Sequence, residues 1–318
     1  MINYFFILTV SFVVVFLVTP SIRYVALKFY VIDKINYRKV HKKLVTKLGG
    51  LAIWFGFLAG LFIVVIFDSN FFRSHFYLIV GLLTCSGLML VLGVYDDFHG
   101  SSALQKLIIQ IIISLLAIKT GIILKGITVP GLFTVDFGIF SILLTVLWLV
   151  GITNAINLID GLDGLAAGII GIASFFIFLC SLILKDNFNA YLTLALMGAC
   201  FGFLKYNFTP AKIFMGDTGS LFLGFTIAYL SLCRKTHYAG INVYVIPVMV
   251  ILTLPILDTV FAVIRRVLGK KNIFLGDSSH IHHYFIKRGF SQLQTVLLFY
   301  FVTFLLGVAS LGAIFLYK

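Results

Sequence analysis

Carboxylate chemistry in this chain rests on aspartates alone, since it contains eleven of them and no glutamate. They are not scattered. Asp96 and Asp97 stand side by side in VLGVYDDFHG, Asp160 and Asp163 lie three apart in NAINLIDGLDGLAAG, and Asp217 lies in NFTPAKIFMGDTGS. Adjacent carboxylates can divide labour, since mutual repulsion makes one of them the better proton acceptor. Alternatively, both help to hold a divalent cation. Mg²⁺ takes hard oxygen ligands, usually one or two carboxylates together with substrate phosphates, which suits several Asp without a His or Cys cage. On a helix, Asp160 and Asp163 would share one face. Gly161 and Gly164 beside them, and Gly216 and Gly219 around Asp217, leave room for a ligand to approach closely.

Cations accompany these acids. Lys47 precedes Gly49 and Gly50 at the mouth of an apolar run, Lys106 opens another run, and Lys212 stands five residues before Asp217. Singly, each reads as an interfacial lysine with its stem in the apolar layer. Together, and with Mg²⁺, they suit a diphosphate. The other dense polar cluster is His280, His282 and His283 in DSSHIHHYF. Zinc would want a Cys or Glu nearby, so hydrogen bonding to an anionic substrate is the better fit. His41, His75, His99 and His237 are solitary and read as surface or packing residues. Asp258, in LPILDT, is an acid inside an apolar run and a functional candidate by default, with Arg265 or Arg266 as a structural partner.

The elements that must position these residues are membrane helices. Of 318 residues, 61% are hydrophobic and only 11% charged, and the mean hydropathy is +1.12. That balance places the chain in lipid. The opening MINYFFILTVSFVVVFLVTP lacks a basic leader and a small-residue cleavage site and is long enough to span, so it reads as a retained helix. The net charge of +13 comes from Lys and Arg in short clusters between apolar runs, which argues for topology and against a nucleic-acid groove. Cys85, Cys180, Cys200 and Cys233 have no metal-ligand spacing and read as small buried apolar residues.

Ten candidate spans begin near residues 3, 48, 77, 105, 137, 164, 190, 219, 241 and 292. With the amino terminus outside, the connections 28 to 47, 96 to 104, 153 to 163, 205 to 217 and 265 to 291 carry most of the cations. By the positive-inside rule these connections are cytoplasmic and both termini are extracytoplasmic. The clusters around Asp96, Asp160 and Asp217 all fall on that face, at helix ends, where they avoid the roughly 3 kcal/mol that an acid costs at the bilayer centre. No internal repeat, low-complexity linker or long soluble insertion divides the chain, so residues 1 to 318 read as one polytopic all-α membrane domain.

The strings DGLDGL and FMGDTGS, with the VYDD pair, the TKLGG mouth and HIHH in this order, resemble the polyprenyl-phosphate N-acetylhexosamine-1-phosphate transferases over nearly the whole chain. The resemblance implies a bacterial plasma-membrane enzyme that moves a sugar 1-phosphate from a UDP-sugar to a polyprenyl phosphate. It releases UMP and uses Mg²⁺ or Mn²⁺. The same resemblance makes Asp217 the main metal ligand and sets Asp96 and Asp97 on the lipid phosphate or beside the metal. Asn157, Asp160, Asp163 and Asn207 would line the nucleotide-sugar site, with Phe214 stacked on uracil. Lys47, Lys106 and Lys212 would balance phosphate charge, His280, His282 and His283 would contact the diphosphate or sugar, and the protein would be a homodimer. HIHH, with Arg265 and Arg266 upstream, is similar to the branch that transfers N-acetylglucosamine 1-phosphate to undecaprenyl phosphate to prime envelope glycans. The branch that uses UDP-N-acetylmuramoyl-pentapeptide typically has three consecutive histidines followed by an acid, and is the alternative. A secondary transporter would instead place acids near the midplane, usually within repeated halves.

Overall fold

The computed structural model describes residues 2–33, 45–129, 133–233, 243–269 and 280–315. Lys34, Arg38, Lys39, His41, Lys42, Lys43, Arg234, Lys235, His237, Lys270 and Lys271, which enter the charge argument or the histidine count above, lie outside the described residues. The described secondary structure is helical apart from two short antiparallel pairs of consecutive strands. Helix α1 (Ile2–Lys28) is followed by strands β1 (Ile32–Asp33) and β2 (Val45–Thr46), then by α2 (Gly49–Phe67), α3 (Ser69–Ser74), α4 (Phe76–His99) and α5 (Ala103–Ile118). A hairpin of β3 (Gly126–Val129) and β4 (Phe133–Asp136) leads to α6 (Ser141–Ile159), α7 (Leu165–Ile183), α8 (Asn187–Asn207) and α9 (Gly216–Leu232). The chain closes with α10 (Val245–Ile251), α11 (Thr253–Leu268), α12 (Ile281–Lys287) and α13 (Gln292–Phe315).

Each of the ten expected runs corresponds to a helix or helix pair, and they differ in length. Among the described residues, seven helices are long and apolar enough to cross a membrane, and an eighth candidate is added if α10 and α11, bent by 75° at Leu252, count as one. Helices α5 and α9 have 16 and 17 residues, short of the roughly 20 that a straight crossing needs. The runs near 137 and 190 prove to be full helices of 19 and 21 residues. The β3–β4 hairpin between α5 and α6 carries no strong alternation in sequence and was not expected.

Helix α9 is the hub. Every residue from Thr218 to Leu232 is buried, as a helix that is apolar on all sides should be. Helices α2, α4 and α6 pack on it, and α1 and α8 complete the α2 side. Glycines allow these close approaches. A Cβ on Gly50 would lie 2.2 Å from the Gly219 nitrogen, and one on Gly93 would lie 2.4 Å from the Asp217 carbonyl. Helix ends from α2 and α4 are thereby brought onto the first turn of α9, which carries Asp217.

Candidate active site

Local signals set the helix ends from which the site is built. Helix α4 stops at Gly100, whose positive φ of 74° ends it one turn after Asp96 and Asp97. Helix α5 starts two residues later with a capping box: the Ser102 hydroxyl accepts the Gln105 N–H at 3.2 Å, and the Gln105 side chain accepts the Ser102 N–H at 3.0 Å. Lys106 therefore sits in the first turn of α5, facing the acids on α4. The TKLGG segment runs parallel to the segment before α9, with Thr46 bridging Ile213. Gly49 and Gly50 donate their N–H groups to the Phe214 and Met215 carbonyls, both at 3.0 Å. Leu48 adopts a left-handed conformation at this corner, φ 75°, a strained choice for a leucine of the kind that clusters at functional sites.

The acids of three separate segments meet here. Lys106 Nζ lies 2.7 Å from Asp217 Oδ2 and 3.2 Å from Asp96 Oδ2, and the Ser101 hydroxyl donates to the other Asp96 oxygen. Asp97, adjacent in sequence, does something different. Its side chain is fully buried, and its oxygens accept the Asp217 N–H at 3.2 Å, the Thr218 N–H at 3.0 Å and the Thr218 hydroxyl at 2.7 Å. It caps α9 from another helix. Lys47 Nζ approaches the same carboxylate at 3.5 Å and is held on its other side by Asp33, also at 3.5 Å. Burial alone would lower the Lys47 pKa, but the Asp97, Asp33 and Asp217 carboxylates outweigh it and hold the ammonium above its usual value.

Asp160 and Asp163 do not share a helical face. Residues 160 to 164 form a turn between α6 and α7, because Asp160 ends α6 and Gly164, at φ 79°, starts the next helix in a left-handed conformation. The two acids consequently part. Asp163 Oδ2 accepts the Ala211 N–H at 2.9 Å and so ties the turn to the loop before α9. Asp160 faces the site. Withdrawal from water, and then the nearby Asp217, Asp97 and Asp163 charges, raise its pKa well above the ordinary carboxylate range.

The asparagines are scaffold as well as lining. Asn157 Nδ2 donates to the Ser220 hydroxyl at 2.8 Å, joining α6 to α9. Asn207 Oδ1 accepts the Gly164 N–H at 3.1 Å, and its amide donates to the Ile213 carbonyl at 3.0 Å. Phe214 is half-buried beside the Lys47 corner, its N–H donated to the Thr46 carbonyl at 2.7 Å. Lys212 is the exception: it is exposed and makes no ion pair among the described residues, and its N–H is donated to the Tyr206 carbonyl.

The HIHH segment closes the site from the carboxyl-terminal side. His282 is 1% exposed and packs on the Asp160–Gly161 turn so tightly that a Cβ on Gly161 would lie 2.4 Å from its Nε2. Burial, with the neighbouring His283 and His280, lowers its pKa to about 3, so the ring is neutral. Neither ring nitrogen has a hydrogen-bond partner among the described residues. The partners found for Asp258 are His280 and the Ile281 N–H, not the arginines expected from sequence.

Sequence reading missed Asp33, Ser101, Thr218, Ser220 and the Asp258–His280 pair. Only the S-x-x-Q cap at 102 to 105 carried a local signal, and it places Lys106. Among the described residues no three His, Cys or Asp side chains gather as a ready-made metal cage. Asp96 and Asp217, sharing one ammonium, instead offer a pair of hard oxygen donors, which fits a cation that takes its remaining ligands from phosphate and water.

A family model described as glycosyl transferase family 4 matches residues 79–235, the stretch that holds Asp96, Lys106, Asp160 and Asp217. A Bacillus subtilis protein described as a probable undecaprenyl-phosphate N-acetylglucosaminyl 1-phosphate transferase is 40% identical over 309 residues, 95% of this chain and 82% of the relative. A Mycolicibacterium smegmatis decaprenyl-phosphate N-acetylglucosaminephosphotransferase is 29% identical over 95% of this chain and 79% of its own length. A phospho-N-acetylmuramoyl-pentapeptide-transferase of Desulforudis audaxviator is 30% identical over 87% of this chain and 86% of its own length. With acids from α4, the α6–α7 turn and α9 gathered at one end of a helical membrane bundle, and with these similarities along its length, the chain belongs to glycosyl transferase family 4.

Proposed function

We propose that the protein transfers N-acetylglucosamine 1-phosphate from UDP-N-acetylglucosamine to undecaprenyl phosphate and releases UMP. The observation that carries this reading is the sharing of Lys106 between Asp96 and Asp217, within reach of Lys47 and the Asp160 turn. Acids and ammonium groups concentrated at helix ends suit two phosphorylated substrates, one from water and one from lipid. Phosphoryl transfer asks for positioning and charge neutralisation above all. The name of the Bacillus subtilis relative, at 40% identity, favours N-acetylglucosamine over the muramoyl-pentapeptide alternative, whose relative stands at 30%.

In this reading an oxygen of the lipid phosphate attacks the β-phosphorus of the nucleotide sugar. The bond from that phosphorus to the bridging oxygen breaks, and UMP leaves with the oxygen. Asp96 accepts the proton of a protonated lipid phosphate, whose second pKa is near 6. Lys47 and Lys106 balance phosphate charge, Asn157, Asp160, Asp163, Asn207 and Phe214 shape the donor pocket, and His280, His282 and His283 close it. Asp217 would hold Mg²⁺ or Mn²⁺, which would supply further neutralisation of the diphosphate. The exposed Lys212 is at most a peripheral phosphate contact.

The charge distribution in sequence supports a cytoplasmic site, extracytoplasmic termini and ten helical segments in a single plasma-membrane domain, and the family resemblance supports a homodimer. The deciding experiment incubates the purified protein with undecaprenyl phosphate, Mg²⁺ and a panel of UDP-sugars, including the muramoyl-pentapeptide donor. UMP and a lipid diphosphate sugar are expected from UDP-N-acetylglucosamine, and EDTA should stop their formation. No metal-dependent product from any donor would sink the reading.

A further inference from the structure

Helix α12 has seven residues and cannot hold itself in place. Phe285 packs on Phe299 of α13, and the start of α12 is fixed by a side chain on α11. Asp258 is 1% exposed; its Oδ1 accepts the Ile281 N–H at 2.8 Å, and its Oδ2 lies 2.9 Å from Nδ1 of His280, which is also buried. Both carboxylate oxygens thus end on the first two residues of the HIHH string. A carboxylate on Nδ1 holds that nitrogen protonated and fixes the ring's orientation and tautomer. From there the geometry passes along the string. The His280 and His282 rings lie parallel within 4° at 5.7 Å, His282 stands 4.3 Å from His283, and His282 is pressed on Gly161 in the donor-site turn.

We propose that Asp258 is a positioning residue for the transfer reaction, acting through His280 to hold His282 and His283 against the Asp160–Gly161 turn. It touches no substrate itself. The consequence for turnover rests on the function proposed above, whereas the clamp itself does not.

Two measurements on the full chain separate these. The first is hydrogen exchange: Asp258→Ala removes both acceptors, so amides of residues 281–287 should exchange faster while those of α9 keep their protection. Unchanged protection at Ile281 would overturn the clamp, whatever the protein catalyses. The second is a double-mutant cycle in the transfer assay. In Asp258→Asn the amide can still accept from Ile281, but its NH₂ must donate to His280 and drives the ring proton to Nε2. The variant should keep its unfolding midpoint while kcat falls on the order of 10²-fold, the cost of a small misplacement, with KM for the nucleotide sugar changed far less. Adding Asp258→Asn to His280→Ala should lower kcat no further than His280→Ala alone. Wild-type kcat in Asp258→Asn, or additive losses in the double variant, would refute action through His280. A wild-type protein that turns over no UDP-sugar would refute the function and leave the exchange result to decide the clamp.

Discussion

The carboxylate of Asp97 accepts both the backbone N–H and the hydroxyl of Thr218, at 3.0 and 2.7 Å, and so fastens the end of α4 to the first turn of α9. Asp96, one residue earlier, reaches Lys106 instead. The adjacent pair therefore divides labour by geometry: one acid fixes the helix that carries Asp217, and its neighbour shares Lys106 with Asp217.

Thr218→Val tests this division. It removes one hydrogen bond to a buried charge without changing shape, which should cost about 2 kcal/mol and lower kcat as the Asp217 turn loosens. Asp97→Ala should cost more, about 3 kcal/mol, because it strips the Asp217 and Thr218 N–H groups of their acceptor and removes one of the two carboxylates on Lys47. Unfolding in detergent, read beside UMP release, measures both. Equal stability of Thr218→Val and wild type would show that the cap is incidental.

Asp217→Asn should abolish turnover in a protein that stays folded. The amide oxygen can still accept from Lys106, so the local structure has a reason to survive, but the charge proposed to hold the metal is gone. Titrating Mg²⁺ against UMP release checks it. Near-normal activity would place the metal elsewhere.

Gly161→Ala should damage both stability and activity, since its new methyl carbon would lie 2.4 Å from His282 Nε2. Overpacking of this kind costs about 1 to 3 kcal/mol. Combining it with His282→Ala, which opens the space, should recover part of the lost stability relative to Gly161→Ala alone. If the two losses simply add, the ring does not rest on that turn.

His282 also predicts a pH dependence. Its folded pKa, about 3, lies below the unfolded value near 6.5, so the folded state favours the neutral ring. Its contribution is whole above pH 6.5 and is lost as the pH falls from there towards 3, at a limiting slope of about 1.4 kcal/mol per unit. Unfolding midpoints of wild type and His282→Asn compared between pH 7.5 and 5 should converge on acidification. A constant difference across that range would contradict a neutral, desolvated His282.

Much of this was legible without coordinates, for reasons tied to particular residues. Apolar length located every long helix, including those at Ser141–Ile159 and Asn187–Asn207. Asp96, Asp97, Asp160 and Asp217 stood out because acids are rare in so apolar a chain. Less was legible where two distant groups meet. The condition for a shared face of Asp160 and Asp163, a helical segment, is not met, because α6 ends at Asp160 and α7 begins only after Gly164. The arginine partner expected for Asp258 was displaced by His280, twenty-two residues away. Lys212, grouped with the phosphate lysines by its spacing from Asp217, turned outward.

By itself, the sequence determined the solvent, the helices and the identity of the reactive groups, because hydrophobicity and side-chain chemistry belong to each residue wherever it lies. Only the tertiary structure decided which acid caps α9 and which reaches Lys106. A carboxylate is defined by what stands within about 3 Å of it, and that depends on how closely Gly50 and Gly93 let α2 and α4 approach α9. Asp96 and Asp97 are chemically identical neighbours; one helical step of about 100° turns them towards different partners.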